Sequence, residues 1–212
     1  MSSNKERELD NGNSEDEFQF WEDIYLADDA GWDLKGPTPI FIELAKEIPI
    51  GNLCIIGCGL GYDAIIFAKK GFNVTAVDFA PTATLSLKKM ADKEDTQLNI
   101  LQRDIFTLFP DYKDSFDYVI EQTCFCAIHP SRRNEYENMV RGILRRGGHI
   151  WGLWFPLDKF LNEGGPPYGT SIDEVKSIFY PNWKIIREEF PEHSIKPRKG
   201  REKLIVFKNM KN

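Results

Sequence analysis

Ile55-Ile56-Gly57-Cys58-Gly59-Leu60-Gly61-Tyr62-Asp63 is the stretch that decides the fold. It follows the apolar segment Leu53 to Ile56 and leads into a helical pattern from Ala64 to Lys70. Strand, glycine turn and helix, in that order, open a nucleotide-binding βαβ unit. Glycine has no Cβ, so the turn can be tight and the backbone can approach a ligand closely. The next apolar strand, Val74 to Val77, ends on Asp78, about twenty residues after the glycines. A carboxylate there can accept hydrogen bonds from both hydroxyls of a ribose. A strand-to-helix turn without a ligand is the plainer alternative, and Asp78 in a βαβ context weighs against it.

Spacing then separates the ligands. A dinucleotide fingerprint reads G-x-G-x-x-G and would place its third glycine at position 62, which is Tyr62. Gly57, Gly59 and Gly61 instead read G-x-G-x-G, the pattern of S-adenosylmethionine (SAM) methyltransferases. SAM has no pyrophosphate to seat on the helix N-terminus, so it does not need the dinucleotide spacing. The expected cofactor contacts are therefore Gly57, Cys58, Gly59, Gly61 and Asp63 from the turn, with Asp78 and Phe79 from the end of the second strand.

The rest of the chain narrows the setting. At 212 residues it reads as a disordered tail over 1–16 and a single domain over 17–212. A hydrophobic fraction of 42% is ample for one core. The net charge of −6 argues against nucleic acid or an anionic membrane as partner, because binding phosphate needs a basic surface. No run of about eighteen apolar residues occurs, and Met1 to Asp16 lacks the apolar core of a signal peptide. The four cysteines, at 54, 58, 124 and 126, form no C-x-x-C pair, and the histidines are scattered at 129, 149 and 193. The expectation is no metal site, reduced thiols and a cytoplasmic monomer. Cys126 reads as a small apolar wall residue rather than a nucleophile.

Periodicity places the elements. Glu17 to Leu26 is helical, with Phe18, Trp21, Ile24 and Tyr25 on one side. Residues 31–39 are a Gly/Pro loop and 40–48 an amphipathic helix. Strands are expected over 53–57, 73–78, 97–101, 116–121 and 148–155, with helices over 62–70, 81–92 and 132–145. A helix over 171–179 and strands near 183–190 and 203–208 close the chain, the last strand as an antiparallel edge or insertion. This alternation predicts an α/β fold: a Rossmann-like, mostly parallel seven-stranded sheet with helices on both faces, of the class I SAM-dependent methyltransferase type. The ligand crevice should lie at the carboxyl ends of the strands. Asp104, after the third strand, can accept from an adenine amino group while Ile105 and Phe106 cover the ring; a turn-capping aspartate is the alternative. Glu121, ending the fourth, can face the cationic end of SAM, or be a satisfied strand-end carboxylate.

Three more segments carry a family likeness: Gly31-Trp32-Asp33-Leu34-Lys35-Gly36-Pro37-Thr38-Pro39, Phe125-Cys126-Ala127-Ile128 and Gly164-Gly165-Pro166-Pro167-Tyr168. With the ending His193-Ser194-Ile195-Lys196-Pro197-Arg198-Lys199-Gly200-Arg201-Glu202-Lys203-Leu204, they resemble the thiopurine S-methyltransferase superfamily. Within it they look most like the plant-type halide/thiol methyltransferases, the "harmless to ozone layer" group. The resemblance runs from about Phe20 to Lys208 and implies SAM-dependent methylation of a halide, thiocyanate, hydrosulfide or small thiol. It implies that Trp21 and Trp32 border the SAM pocket, and that Tyr168 lines the acceptor site and takes part in the reaction. The acceptor wall is completed by Trp32, Gln122, Phe125 and Phe155, and an aromatic lid by Trp154. The sequence departs from the family at Ile56, where a proline is usual, at Lys35-Gly36, and at Gln122, where relatives carry tyrosine or arginine.

The implied chemistry asks little of side chains. The sulfonium already activates the methyl group, and a soft anion arrives deprotonated, so no general base is needed. No His/Asp dyad is visible; His129, before Pro130, reads as a surface-loop histidine. Two other readings stay open: a thiopurine-type or other small-molecule methyltransferase on the same fold, and a SAM-binding interaction module without catalysis.

Overall fold

The computed structural model describes residues 14–211. Most of the expected tail, residues 1–13, lies outside that range. Its last residues depart from the expectation: Ser14–Asp16 form a 3-10 turn and Glu15 is buried. Helix α1 (Phe18–Leu26) follows directly and buries no residue completely, which suits a roof more than a core helix. Helix α2 (Pro39–Glu47) starts with Pro39 in its first turn, where the missing N–H costs nothing.

From there strands and helices alternate: β1 (Asn52–Ile56), α3 (Tyr62–Lys69), β2 (Asn73–Asp78), α4 (Pro81–Lys93), β3 (Asn99–Gln102), β4 (Phe116–Gln122), α5 (Arg133–Ile143), β5 (Leu144–Trp154), α6 (Ile172–Phe179), β6 (Trp183–Glu189) and β7 (Lys203–Asn209). The sheet order is β3-β2-β1-β4-β5-β7-β6. All neighbours through β5 run parallel. The last strand is the insertion: β7 pairs antiparallel with both β5 and β6, which leaves β6 at the edge. Strand order reverses between β1 and β4, the crevice position of a doubly wound sheet.

Side-chain alternation divides the core into two layers. Leu53 and Ile55 of β1 pack with Phe41 and Leu44 of α2, Phe67 of α3 and Leu87 of α4. Cys54 and Ile56 face the other way, onto a layer built with Met139, Val140 and Ile143 of α5 and Val175 and Phe179 of α6. Strand β5 begins four residues earlier than its apolar pattern suggests. The register jumps from Phe116↔Leu144 to Tyr118↔His149, and Gly147 supplies the left-handed backbone (φ +79°) that lets the chain bulge there.

Candidate active site

The turn after β1 can be built only with glycine at its tight points. Gly57 and Gly61 have φ of +58° and +86°. A Cβ at Gly57 would lie 2.9 Å from Cys124 Sγ, and one at Gly61 would lie 2.3 Å from Leu87 Cδ1. The turn is tied down where Cys58 N donates to Val77 O (2.9 Å) and Gly59 N to Asp78 Oδ2 (2.8 Å). Asp78 Oδ1 accepts from Ala80 N at 3.0 Å. Burial pushes the Asp78 carboxyl up to about 6, against the pull of these backbone N–H groups and with a smaller push from Glu22. Asp63, in the first turn of α3, accepts from Thr38 N (2.7 Å) and Thr38 Oγ1 (2.9 Å), and burial also raises it to about 6. That pair fastens the loop bearing Trp32 to the glycine turn.

These groups open onto a cavity of about 530 Å³ at the carboxyl ends of the strands. At the β3 side Asp104 accepts from Phe106 N at 2.9 Å, so it caps a 3-10 turn as well as lining the cavity with Ile105 and Phe106. The Arg132 guanidinium lies 3.7 Å over the Phe106 ring. The roof is aromatic: Trp21 meets Trp32 edge-on at 5.4 Å and Trp32 meets Tyr25 at 5.7 Å. Of the residues expected at the site, Trp21, Trp32, Gly57, Cys58, Gly59, Gly61, Asp63, Asp78, Phe79, Asp104, Ile105 and Gln122 line this cavity.

Four expected residues, and one of the expected lid, do not. Glu121 is 1% exposed and turned into the core, accepting from Cys124 N and Phe125 N (both 3.0 Å) and from Tyr136 Oη (2.6 Å). Neighbouring strand residues point to opposite faces, so β4 offers Gln122 to the cavity and Glu121 to α5. Burial pushes the Glu121 carboxyl up to about 7. Phe125 packs edge-on against Tyr136 and Trp154. Trp154 is likewise in the core, 5.3 Å from Phe179, and is no part of a lid. Phe155 lies under the Arg198 and Arg201 guanidiniums. Tyr168 stands behind Pro166 and Pro167, which do line the cavity. Its hydroxyl donates to Glu15 and its ring meets His129 edge-on at 5.4 Å. Burial, then Glu15, pushes the phenol up to about 12, so it stays protonated near neutral pH.

The structure adds residues that sequence reasoning missed. The N-terminal segment is fastened at three points around the cavity: Glu15 to Tyr168, Asp16 to Arg132 at 2.7 Å, and Glu22 to Thr82 through N (2.8 Å) and Oγ1 (2.6 Å). Trp21 Nε1 also donates to Glu15 O at 2.9 Å. Arg198, 6% exposed, donates to Trp32 O at 2.9 Å and holds the other roof strip. Tyr25, on the apolar face of α1, and Arg198, within the ending that carries the family likeness, had a sequence signal.

Chemically, the described lining residues include no histidine and no exposed thiolate. Burial is the main cause raising Cys58 and Cys124 well above the usual thiol range, and it pushes Cys126 up to about 12. The lining carboxylates outnumber the cations: Glu15, Asp16, Asp33, Asp63, Asp78 and Asp104 against Arg103 and Arg132. Such a surround suits a cationic ligand better than a pyrophosphate. With an acceptor at the end of β2 and apolar walls at β3, these residues fit S-adenosylmethionine, and the volume is that of a small-molecule site. Among the described residues no group of His, Cys, Asp and Glu is placed to hold a metal.

Known proteins agree with this architecture. Residues 16–211 match the family described as Thiopurine S-methyltransferase (TPMT). The chain is 34% identical over 189 residues to "Probable thiol methyltransferase 2" of Arabidopsis thaliana, covering 87% of this chain and 82% of that protein. It is 26% identical to "Thiocyanate methyltransferase 1" of the same plant, covering 90% and 84%. Among solved structures it superposes with TM-score 0.72 and 16% identity on the Burkholderia thailandensis 1,6-didemethyltoxoflavin-N1-methyltransferase, bound to 1,6-didemethyltoxoflavin and S-adenosylhomocysteine, covering 92% and 87%. That likeness is one of fold.

Proposed function

The chain belongs to the thiopurine S-methyltransferase family and is a SAM-dependent methyltransferase, and from that premise we propose that its acceptor is a small soft nucleophile: a halide, thiocyanate, hydrosulfide or small thiol. One observation carries this reading. The cavity is walled by aromatic and apolar groups, and the carboxylates on it are largely committed to hydrogen bonds or ion pairs: Asp63 to Thr38, Asp78 to Gly59 and Ala80, Asp104 to Phe106, Asp16 to Arg132. Asp33 is paired with Lys35 at 3.1 Å, and no histidine is among the described lining residues, so an acceptor that needs deprotonation in place is poorly served.

When bound, SAM supplies a methyl group already activated by its sulfonium. What the chain supplies is placement. Asp78 would hold the ribose, and Asp104, Ile105 and Phe106 the adenine. The sheet order then directs the opposite end of the cofactor across β1 toward β4, where Gln122, Cys126, Ala127 and Ile128 form the wall. The roof of Trp21, Tyr25 and Trp32 excludes water from that end and keeps the incoming nucleophile poorly solvated. The four free thiols suit a reducing, cytoplasmic setting, and the acidic chain has no call for nucleic acid or membrane.

The test is a panel of iodide, bromide, chloride, thiocyanate, hydrosulfide and an aromatic thiol with methyl-labelled SAM, read by volatile product. Methyl halide, methyl thiocyanate or methanethiol is expected. Turnover confined to the aromatic thiol would overturn the proposed acceptor class.

A further inference from the structure

The cavity's acceptor end holds one polar side chain that nothing satisfies. Among the described residues, the side-chain amide of Gln122 makes no hydrogen bond, and its Nε2 is buried without a partner. Buried amides ordinarily find partners, so an amide held at neither end on a cavity wall is free to turn one end to a ligand. The backbone beside it is strained toward the same end. Thr123, a β-branched residue, sits at φ +62°, where L side chains are rare. That bend lets Cys124 N and Phe125 N reach Glu121. Glu121 is thereby fixed inward, and strand alternation leaves Gln122 on the cavity.

We propose that the Gln122 amide is the hydrogen-bond donor that receives the acceptor anion and that it sets the enzyme's preference for weakly hydrated monoanions. This rests on the small-nucleophile reading above. Rotation about the last side-chain torsion exchanges the two ends of the amide, and no partner among the described residues holds either end, so the N–H can be turned to the cavity. A neutral donor positions an anion without an ion pair that would quench its nucleophilicity. Of the guanidiniums near this wall, Arg132 is held by Asp16, Glu135 and Phe106, Arg133 by Glu174 and Gly169 O, and Arg198 donates to Trp32 O. An entering anion therefore exchanges its water for one amide N–H and walls such as Ala127, Ile128, Pro166 and Pro167. A tightly hydrated ion such as fluoride, sulfate or a carboxylate loses far more than one donor returns. Iodide, thiocyanate and hydrosulfide, with charge spread over larger and more polarisable ions, lose less.

The experiment compares the wild type with Gln122→Leu, which removes the donor, and Gln122→Glu, which places a negative charge there. Three quantities are measured: S-adenosylhomocysteine affinity, thiocyanate binding to the S-adenosylhomocysteine complex by calorimetry, and KM and kcat for thiocyanate and hydrosulfide. For Gln122→Leu the expected result is thiocyanate binding and KM weakened about tenfold, with kcat and S-adenosylhomocysteine affinity nearly unchanged. Gln122→Glu should bind and methylate no small anion while retaining S-adenosylhomocysteine. Thiocyanate bound by the wild type and equally well by Gln122→Leu would overturn the role of the amide. Weakened S-adenosylhomocysteine binding in Gln122→Leu would do the same by giving the amide to the cofactor. A wild-type complex that binds no thiocyanate at all and methylates only an aromatic thiol would instead remove the small-nucleophile reading, and this inference with it.

Discussion

Removing one oxygen, in Tyr168→Phe, tests whether this phenol acts on the acceptor or on the roof. The hydroxyl donates to Glu15, which is 8% exposed and lies in the turn preceding α1. A hydrogen bond to a charged acceptor contributes about 1.5–3 kcal/mol net. The substitution leaves the Glu15 carboxylate buried without its donor, and the segment can relieve that by swinging out to water. The lost energy then appears as a lower ratio of closed to open roof, at most about 10–150-fold. The ties of Asp16 to Arg132 and Glu22 to Thr82 remain. Asp16 and Arg132 are each about a quarter exposed, so their pair is screened and weak, and Glu22 carries most of what is left. The expected outcome is S-adenosylhomocysteine affinity weakened about tenfold, with faster proteolysis ahead of Phe18. Calorimetry on Tyr168→Phe, Glu15→Gln and the double variant gives a cycle whose coupling should be about 1–2 kcal/mol. Normal affinity and normal proteolysis, combined with a lower kcat for small anions, would refute this reasoning and return the phenol to the acceptor.

Three other outcomes follow from the geometry. Asp78 is held up to about 6 by burial, so the free enzyme protonates it as pH falls through that value and the carboxylate acceptor is lost. SAM affinity should therefore drop several-fold between about pH 7 and pH 5, and Asp78→Asn should bind weakly with a flat profile; a wild-type profile that stays flat would contradict it. The same raised carboxyl acts oppositely on folding. The native state keeps its proton to higher pH than the unfolded chain, so the stability due to Asp78 is present at low pH and is lost as pH rises to about 6. Glu121→Gln keeps the side-chain shape but has one acceptor oxygen where Glu121 has two, so it cannot accept from Cys124 N, Phe125 N and Tyr136 Oη as before; a buried donor left unpaired should cost about 1–3 kcal/mol, or several degrees of Tm. Kinetics per folded molecule should be unchanged, and a selective loss of SAM binding would show that Glu121 reaches the cofactor after all. Gly61→Ala must push a Cβ to within 2.3 Å of Leu87 in a left-handed backbone, and should lower Tm and SAM affinity together; a fully stable variant would show that the turn relaxes easily.

The sheet and the cofactor end of the cavity were legible because local rules dictate them. Apolar runs of period two, glycines at the left-handed turn and a carboxylate closing β2 are contiguous in sequence, and each is forced by backbone geometry within a few residues. Right-handed crossovers fix the hand of the connections among β1 to β5, whereas the order β3-β2-β1-β4-β5 appears only in the fold. The acceptor end was not legible in the same way. Glu121, Phe125, Phe155 and Tyr168 are adjacent to the cavity in sequence, yet strand alternation and packing against α5 turn the first two inward. Arg198 and Arg201 cover Phe155, and two prolines screen Tyr168. Likewise Glu15 reaches Tyr168 and Asp16 reaches Arg132 across more than a hundred residues, pairings that no periodicity encodes. Sequence alone determined what the backbone must do from one residue to the next. Which of two neighbouring side chains faces the ligand, and which distant charges close the roof, was decided only when the layers packed, because burial and pairing are properties of the assembled core.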